Sequence, residues 1–120
     1  MTYWKKLCTL LIFTLLYSKA SIAQETGHAC IYSKSLCGGM VATGGRLDCE
    51  KFTAAHRTFK FGTQVRVTNL DNDKSVIVTI NDRGPYSKKY IIDMTPSAAK
   101  KIGLTHANGR VHVKIEKVVD

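Results

Sequence analysis

Residues 75–80 read Ser-Val-Ile-Val-Thr-Ile and run straight into Asn81-Asp82-Arg83-Gly84-Pro85. β-branched side chains are stiff at χ1 and pack well on a pleated surface, and six residues are too few for a stable helix. The nearly continuous apolar run predicts a strand buried on both faces, stopped by the Gly-Pro turn. Just upstream, Gln64–Asn69 (QVRVTN) alternates, with Val65 and Val67 facing inward. The polar stretch from Leu70 to Lys74 has the length of a hairpin turn. Val111, Val113 and Ile115 alternate with His112, Lys114 and Glu116, giving a third strand with one buried face and His112 outward. Shorter strand candidates are residues 28–32, 51–54 and 90–92. One helix stands out, with Thr95 as N-cap, Pro96 at its first position, Ala98, Ala99 and Ile102 as its apolar stripe and Gly103 closing it. Several short strands with one helix predict a mainly β chain closed into a compact barrel.

A chain of 120 residues has room for one such domain. Its first residues are not part of it. Met1 to Lys6 carry two lysines and no acid, residues 7–17 are apolar, and Ser21-Ile22-Ala23 offers a small-x-small cleavage site. That is the pattern of a secretory signal peptide, and the apolar run is far short of the roughly 20 residues that span a bilayer. The expectation is a signal peptide over residues 1–23, cleavage after Ala23, and a domain over residues 24–120. The product would be periplasmic or secreted, monomeric, and without a stable membrane anchor.

Export decides how the charge is read. The formal charge is +9, and three of the 18 basic residues but none of the 9 acidic ones fall in residues 1–23, so +6 remains beyond them. Outside the cytoplasm the fitting polyanions are wall or matrix polymers rather than nucleic acid, and no aromatic-studded basic strand suggests nucleic-acid binding. Cys30, Cys37 and Cys49 remain after cleavage, and an oxidising compartment favours pairing of two of them. The sequence does not decide which. Cys37 with Cys49 is the favoured pair because it would tie down the glycine-rich segment between them. No two cysteines have C-x-x-C spacing, so neither a zinc site nor any other metal or cofactor is expected.

Asp82 follows the most apolar strand and sits on a turn held by Gly84 and Pro85, where its carboxyl group either caps backbone amides of the turn or is offered from a rigid place as a general acid. Arg83 beside it suits an anion or an acidic sugar substituent. Four segments then follow one another in order: Thr53-Ala54-Ala55-His56-Arg57; Phe61-Gly62-Thr63 with Val65, Val67, Thr68 and Asn69; Val76, Val78 and Ile80 with Asn81-Asp82-Arg83-Gly84-Pro85; and Ile91-Ile92-Asp93-Met94-Thr95 with Ala98-Ala99 and Gly103-Leu104. This order closely resembles the rare lipoprotein A (RlpA-like) family over about residues 27–118. Ala29-Cys30-Ile31-Tyr32 is similar to the family's opening Ala-Ser-Trp-Tyr strand.

The resemblance implies a six-stranded double-psi β-barrel with one short helix, and a peptidoglycan lytic transglycosylase acting on glycan strands, some relatives favouring strands without stem peptides. It implies no metal. An acid protonates the glycosidic oxygen and the sugar's own 6-hydroxyl attacks, giving an anhydro product. Carried over by position, Asp82 is the catalytic residue, and Thr53, His56, Arg83, Tyr32 and Asp93 are the substrate-binding ones, with His56 equally suited to hydrogen-bond two loops together. The family's second acidic residue falls on Gly45, with Asp48 and Glu50 the nearest replacements in sequence. Loss of that residue leaves an alternative, a non-catalytic, expansin-like wall-binding or wall-loosening module. Tyr86 and Tyr90, which flank Lys88-Lys89, would make either a sugar-stacking rim or a solvated loop. The family's lipid anchor and C-terminal glycan-binding repeat domain are not expected in this chain.

Overall fold

The computed structural model describes residues 23–118. The expected signal peptide therefore lies outside the described residues but for Ala23. Six strands form in chain order: β1 (Gln24–Ile31), β2 (Thr53–Ala55), β3 (Gln64–Asn69), β4 (Ser75–Asp82), β5 (Ile92–Met94) and β6 (Val111–Lys117). They close into a barrel in the order β1-β5-β2-β4-β3-β6, with β6 returning to β1. The pairs β1/β5 and β2/β4 are parallel and the other four antiparallel. This is the double-psi β-barrel, mainly β with a single short α-helix among the described residues.

Alternation builds the interior. Val65 and Val67 from β3, Val78 and Ile80 from β4, and Val113 and Ile115 from β6 are all fully buried, joined by Ile92 and Met94 from β5. The expectation of a β4 buried on both faces is corrected: Ile77 is 40% exposed and Ser75 is exposed, so only every second side chain faces inward. Closure explains it. A single-layered barrel has an outside, and β4 shows its outer face to solvent although the sequence there is apolar. The short strands also shift. β2 starts at Thr53 because Lys51 is drawn into a turn on Asp48 (Lys51 N–H to Asp48 C=O, 3.1 Å), and β5 starts at Ile92 because Tyr90 turns back onto Ser87.

Helix α1 (Pro96–Lys101) caps one end, burying Ala98 and Ala99 against the core. Thr95 occupies the N-cap position, but its hydroxyl donates instead to the Lys51 carbonyl at 2.6 Å. Gly103 follows the helix at φ 79°, the left-handed conformation that ends a helix without a Cβ penalty. Residues 33–52 contain no strand, only a 3₁₀ turn at Lys34–Leu36 and a bridge between Met40 and Arg46. They cover a smaller apolar cluster of Tyr32, Val41, Leu47 and Ala55. The Cys37–Cys49 disulfide closes this segment, and Cys30 is free. No helix among the described residues is long and apolar enough to cross a membrane.

Candidate active site

The two parallel strand pairs set the site. In β2/β4 the register slips between Ala54 and Ala55, so that Ala55 faces Asp82 at the very end of β4. A bulge of this kind re-aims the side chain beside it. The Asp82 carboxylate then receives three donors: the Tyr32 hydroxyl on Oδ2 at 2.7 Å, and the Ala42 and Arg83 backbone N–H groups on Oδ1, each at 2.9 Å. Tyr32 comes from the end of β1, Ala42 from the disulfide-closed segment and Arg83 from the turn, so three separate parts of the chain fix one carboxylate.

The other parallel pair places Cys30 of β1 opposite Asp93 of β5. Asp93 lines the same groove as Asp82, a cavity of about 460 Å³ with Tyr32 and Cys30 in its wall and Leu36, Met40, Tyr86 and Tyr90 around it. Burial pushes the Asp93 carboxyl from 3.8 up to about 6; the adjacent Cys30 thiol opposes the shift and the negative charge of Asp82 adds to it. Its Oδ1 is buried with no hydrogen-bond partner. Burial, then the Asp93 charge, pushes the Cys30 thiol up to about 12, so it stays protonated and is a poor nucleophile. Burial, then Asp82, likewise holds the Tyr32 phenol well above its ordinary range, leaving it a donor.

The other sequence candidates sit differently. His56 is 5% exposed, and its Nδ1 accepts from the Thr58 and Phe59 N–H groups at 3.2 and 3.1 Å. Its Nε2 is therefore the donor, directed at Glu25 Oε1 at 3.2 Å, while the ring stacks on Phe59. Both nitrogens hold protein together, and neither His56 nor Thr53 lines the groove. Thr53 Oγ1 is buried without a partner. Arg83 lines the groove, but its Nη1 donates to the carbonyls of His56 (3.2 Å) and Phe59 (2.8 Å), and its guanidinium lies 3.9 Å from the centre of the Phe61 ring. Asp48 is used up in a local turn, accepting the Glu50 N–H at 3.0 Å, and Glu50 lines a separate pocket beside the disulfide. Neither replaces the carboxylate absent at Gly45, where a Cβ would meet nothing within 4 Å.

The second carboxylate of the groove is thus Asp93, expected from the sequence only as a binding residue. Cys30, Leu36 and Met40 were not expected in the groove at all. Nothing in the local sequence announces them, because the β1/β5 pairing and the fold of residues 33–52 bring them there. Tyr86, 91% exposed, and Tyr90 both reach the groove and so belong to its rim.

Fold and site together define a double-psi barrel that carries a paired-carboxylate groove. The family described as "Lytic transglycolase" matches residues 24–115, and the chain belongs to that family. The endolytic peptidoglycan transglycosylase RlpA of Neisseria meningitidis serogroup B is 46% identical over 95 residues, which are 79% of this chain and 39% of that protein. The chain thus spans about two fifths of that relative's length. Among solved structures, the Streptomyces papain inhibitor aligns with a TM-score of 0.66 at 20% identity, over 81% of this chain and 96% of that one. A mutant Clavibacter michiganensis expansin in complex with cellohexaose aligns with a TM-score of 0.62 at 17% identity, over 82% and 52%. At those identities the two structures speak for the fold alone.

Proposed function

We propose that this domain is an exported peptidoglycan lytic transglycosylase acting on glycan strands, with Asp82 and Asp93 sharing the acid–base work. The observation that supports it most is the pairing of two carboxyl groups in one open groove, one held by three donors and the other buried and shifted to about 6. Neighbouring carboxyl groups in unlike surroundings divide into acid and base. Asp93, protonated at mildly acidic pH, gives its proton to the glycosidic oxygen as the C1–O bond breaks. The sugar's 6-hydroxyl oxygen closes on C1, and its proton passes to the carboxylate that is then free. No water enters the product. Tyr32 and the Ala42 and Arg83 amides keep Asp82 aimed, and Tyr86 and Tyr90 offer faces on which sugar rings can stack.

The experiment is digestion of purified sacculi and of glycan strands stripped of peptide, with mass spectrometry of the released fragments. Wild type should release anhydro-terminated fragments. General acid–base catalysis contributes roughly 10²–10⁴-fold, so Asp93→Asn and Asp82→Asn should each slow release by about that factor while the protein still sediments with sacculi. Binding without release by wild type would favour the second reading, an expansin-like wall-binding module. The glycine at position 45, where the family's second acid falls, supports that reading.

A further inference from the structure

Beside the carboxylate groove lies a second hollow of about 260 Å³, lined by Arg57, Arg83, Gly84, Pro85, Tyr86 and Lys88. Four of these residues, Arg83 to Tyr86, also line the groove, so the two hollows meet along one ridge of the chain. Their charges are opposite. The groove holds Asp82 and Asp93 with Arg83 at its edge, whereas the hollow is lined by three cations, the shared Arg83 among them, and no acid.

The two arginines are also held in place. Arg57 Nη2 donates to the carbonyls of Ser87 (2.7 Å) and Tyr90 (2.6 Å), pinning residues 87–90, and Arg83 is fixed by two carbonyls and Phe61. These contacts engage one terminal nitrogen of each guanidinium and leave the full positive charge. Lys88 is exposed and adds a mobile ammonium. Preorganised guanidinium groups suit planar anions.

We propose that this hollow is a carboxylate-binding subsite that accepts an acidic substituent of the same glycan strand whose sugar occupies the groove. A strand lying across the Arg83–Tyr86 ridge would present its glycosidic bond to Asp82 and Asp93 and its acid to Arg57, Arg83 and Lys88. The cations offset the repulsion that two groove carboxyl groups impose on an acidic polymer. The proposal rests on the glycan reading of the groove. The carboxylate has two possible sources, the lactyl acid on the sugar itself or the acids of an attached peptide.

The test is binding, so that it does not depend on cleavage. Soluble muramic-acid-containing oligosaccharides are titrated into the protein by calorimetry in three forms: free lactyl acid, lactyl acid reduced to the alcohol, and peptide-bearing. The same titrations are repeated with Lys88→Glu. The reduced form should bind roughly tenfold more weakly than the free acid, and that gap should shrink in Lys88→Glu and at high salt. If the peptide-bearing form equals or exceeds the free acid and loses its advantage on amidation of its carboxyl groups, the acid comes from the peptide and the subsite stands. Equal binding of all forms, with no response to Lys88→Glu, overturns the subsite and leaves the catalytic reading untouched. Acid-dependent binding with no anhydro product would keep the subsite and overturn the catalytic reading.

Discussion

The barrel wall and the segment at residues 33–52 are held by different forces. The wall buries Val65, Val67, Val78, Ile80, Ile92, Met94, Val113 and Ile115 completely, and its strands hydrogen-bond around a closed ring. Residues 33–52 bury only Val41 and Leu47 beneath them and rely on one disulfide and turn hydrogen bonds such as Leu47 N–H to Gly39 C=O at 2.7 Å. Yet this weaker region supplies Leu36, Met40 and the Ala42 N–H to the groove, while the wall supplies Asp82 and Asp93. The groove's carboxyl groups sit on the barrel strands, and part of its lining sits on the tethered segment.

The sharpest break in that comparison is in the wall. Ile80→Ala deletes a fully buried side chain just before Asp82 and should cost about 2–5 kcal/mol, read by chemical denaturation. A cost below 1 kcal/mol would mean that the wall is far more plastic than its packing implies. Next comes the tether. Reducing Cys37–Cys49, whose residues are 12 apart in sequence, should cost about 3 kcal/mol and raise amide hydrogen exchange in residues 38–47, while strand amides keep their protection. Uniform loss of protection around the barrel would show that the two regions are one cooperative unit.

Asp93 sharpens the comparison from within the wall. A carboxyl group shifted up from 3.8 to about 6 stabilises the fold fully below about pH 4, and that contribution is lost as pH rises through 6. At pH 7.5 the folded chain carries a buried charge, so Asp93→Asn should raise stability by up to about 3 kcal/mol, with little change at pH 4. A Tm for Asp93→Asn at or below wild type at pH 7.5 would count against the buried charge. The smallest effect is expected from Tyr32→Phe, which removes the 2.7 Å bond to Asp82 and should cost about 1 kcal/mol. It should slow anhydro-product release less than Asp82→Asn does.

What the sequence disclosed follows the same division. Alternation marked β3 and β6 and the inward Val65, Val67, Val113 and Ile115, since a period of two survives in any half-buried strand. It misjudged β4, where an apolar Ile77 points outward, and it misplaced the ends of β2 and β5, which are set by the turns at Asp48 and Ser87. Asp82 could be picked out because a strand, a turn and a carboxylate lie together in the chain and the family resemblance lifts it above a residue that merely caps a turn. The pairing of Asp82 with Asp93 could not. It arises because β2 lies between β5 and β4 and its Ala55 faces both Asp93 and Asp82, and no local pattern records that contact. His56, marked by the resemblance, is open in the sequence between a substrate contact and a histidine that holds loops together, and Thr58, Phe59 and Glu25, partners visible only in three dimensions, occupy both its nitrogens.

The central claim is that burial, with the charge of Asp82 adding to it, keeps a proton on Asp93 well above the ordinary carboxyl range. An NMR titration of the Asp93 side-chain carboxyl carbon, in wild type and in Asp82→Asn, measures this without any substrate. The account predicts a wild-type midpoint near 6 and a lower one in Asp82→Asn, where the neighbouring charge is gone. A wild-type midpoint near the ordinary 3.8, unmoved by Asp82→Asn, would contradict it.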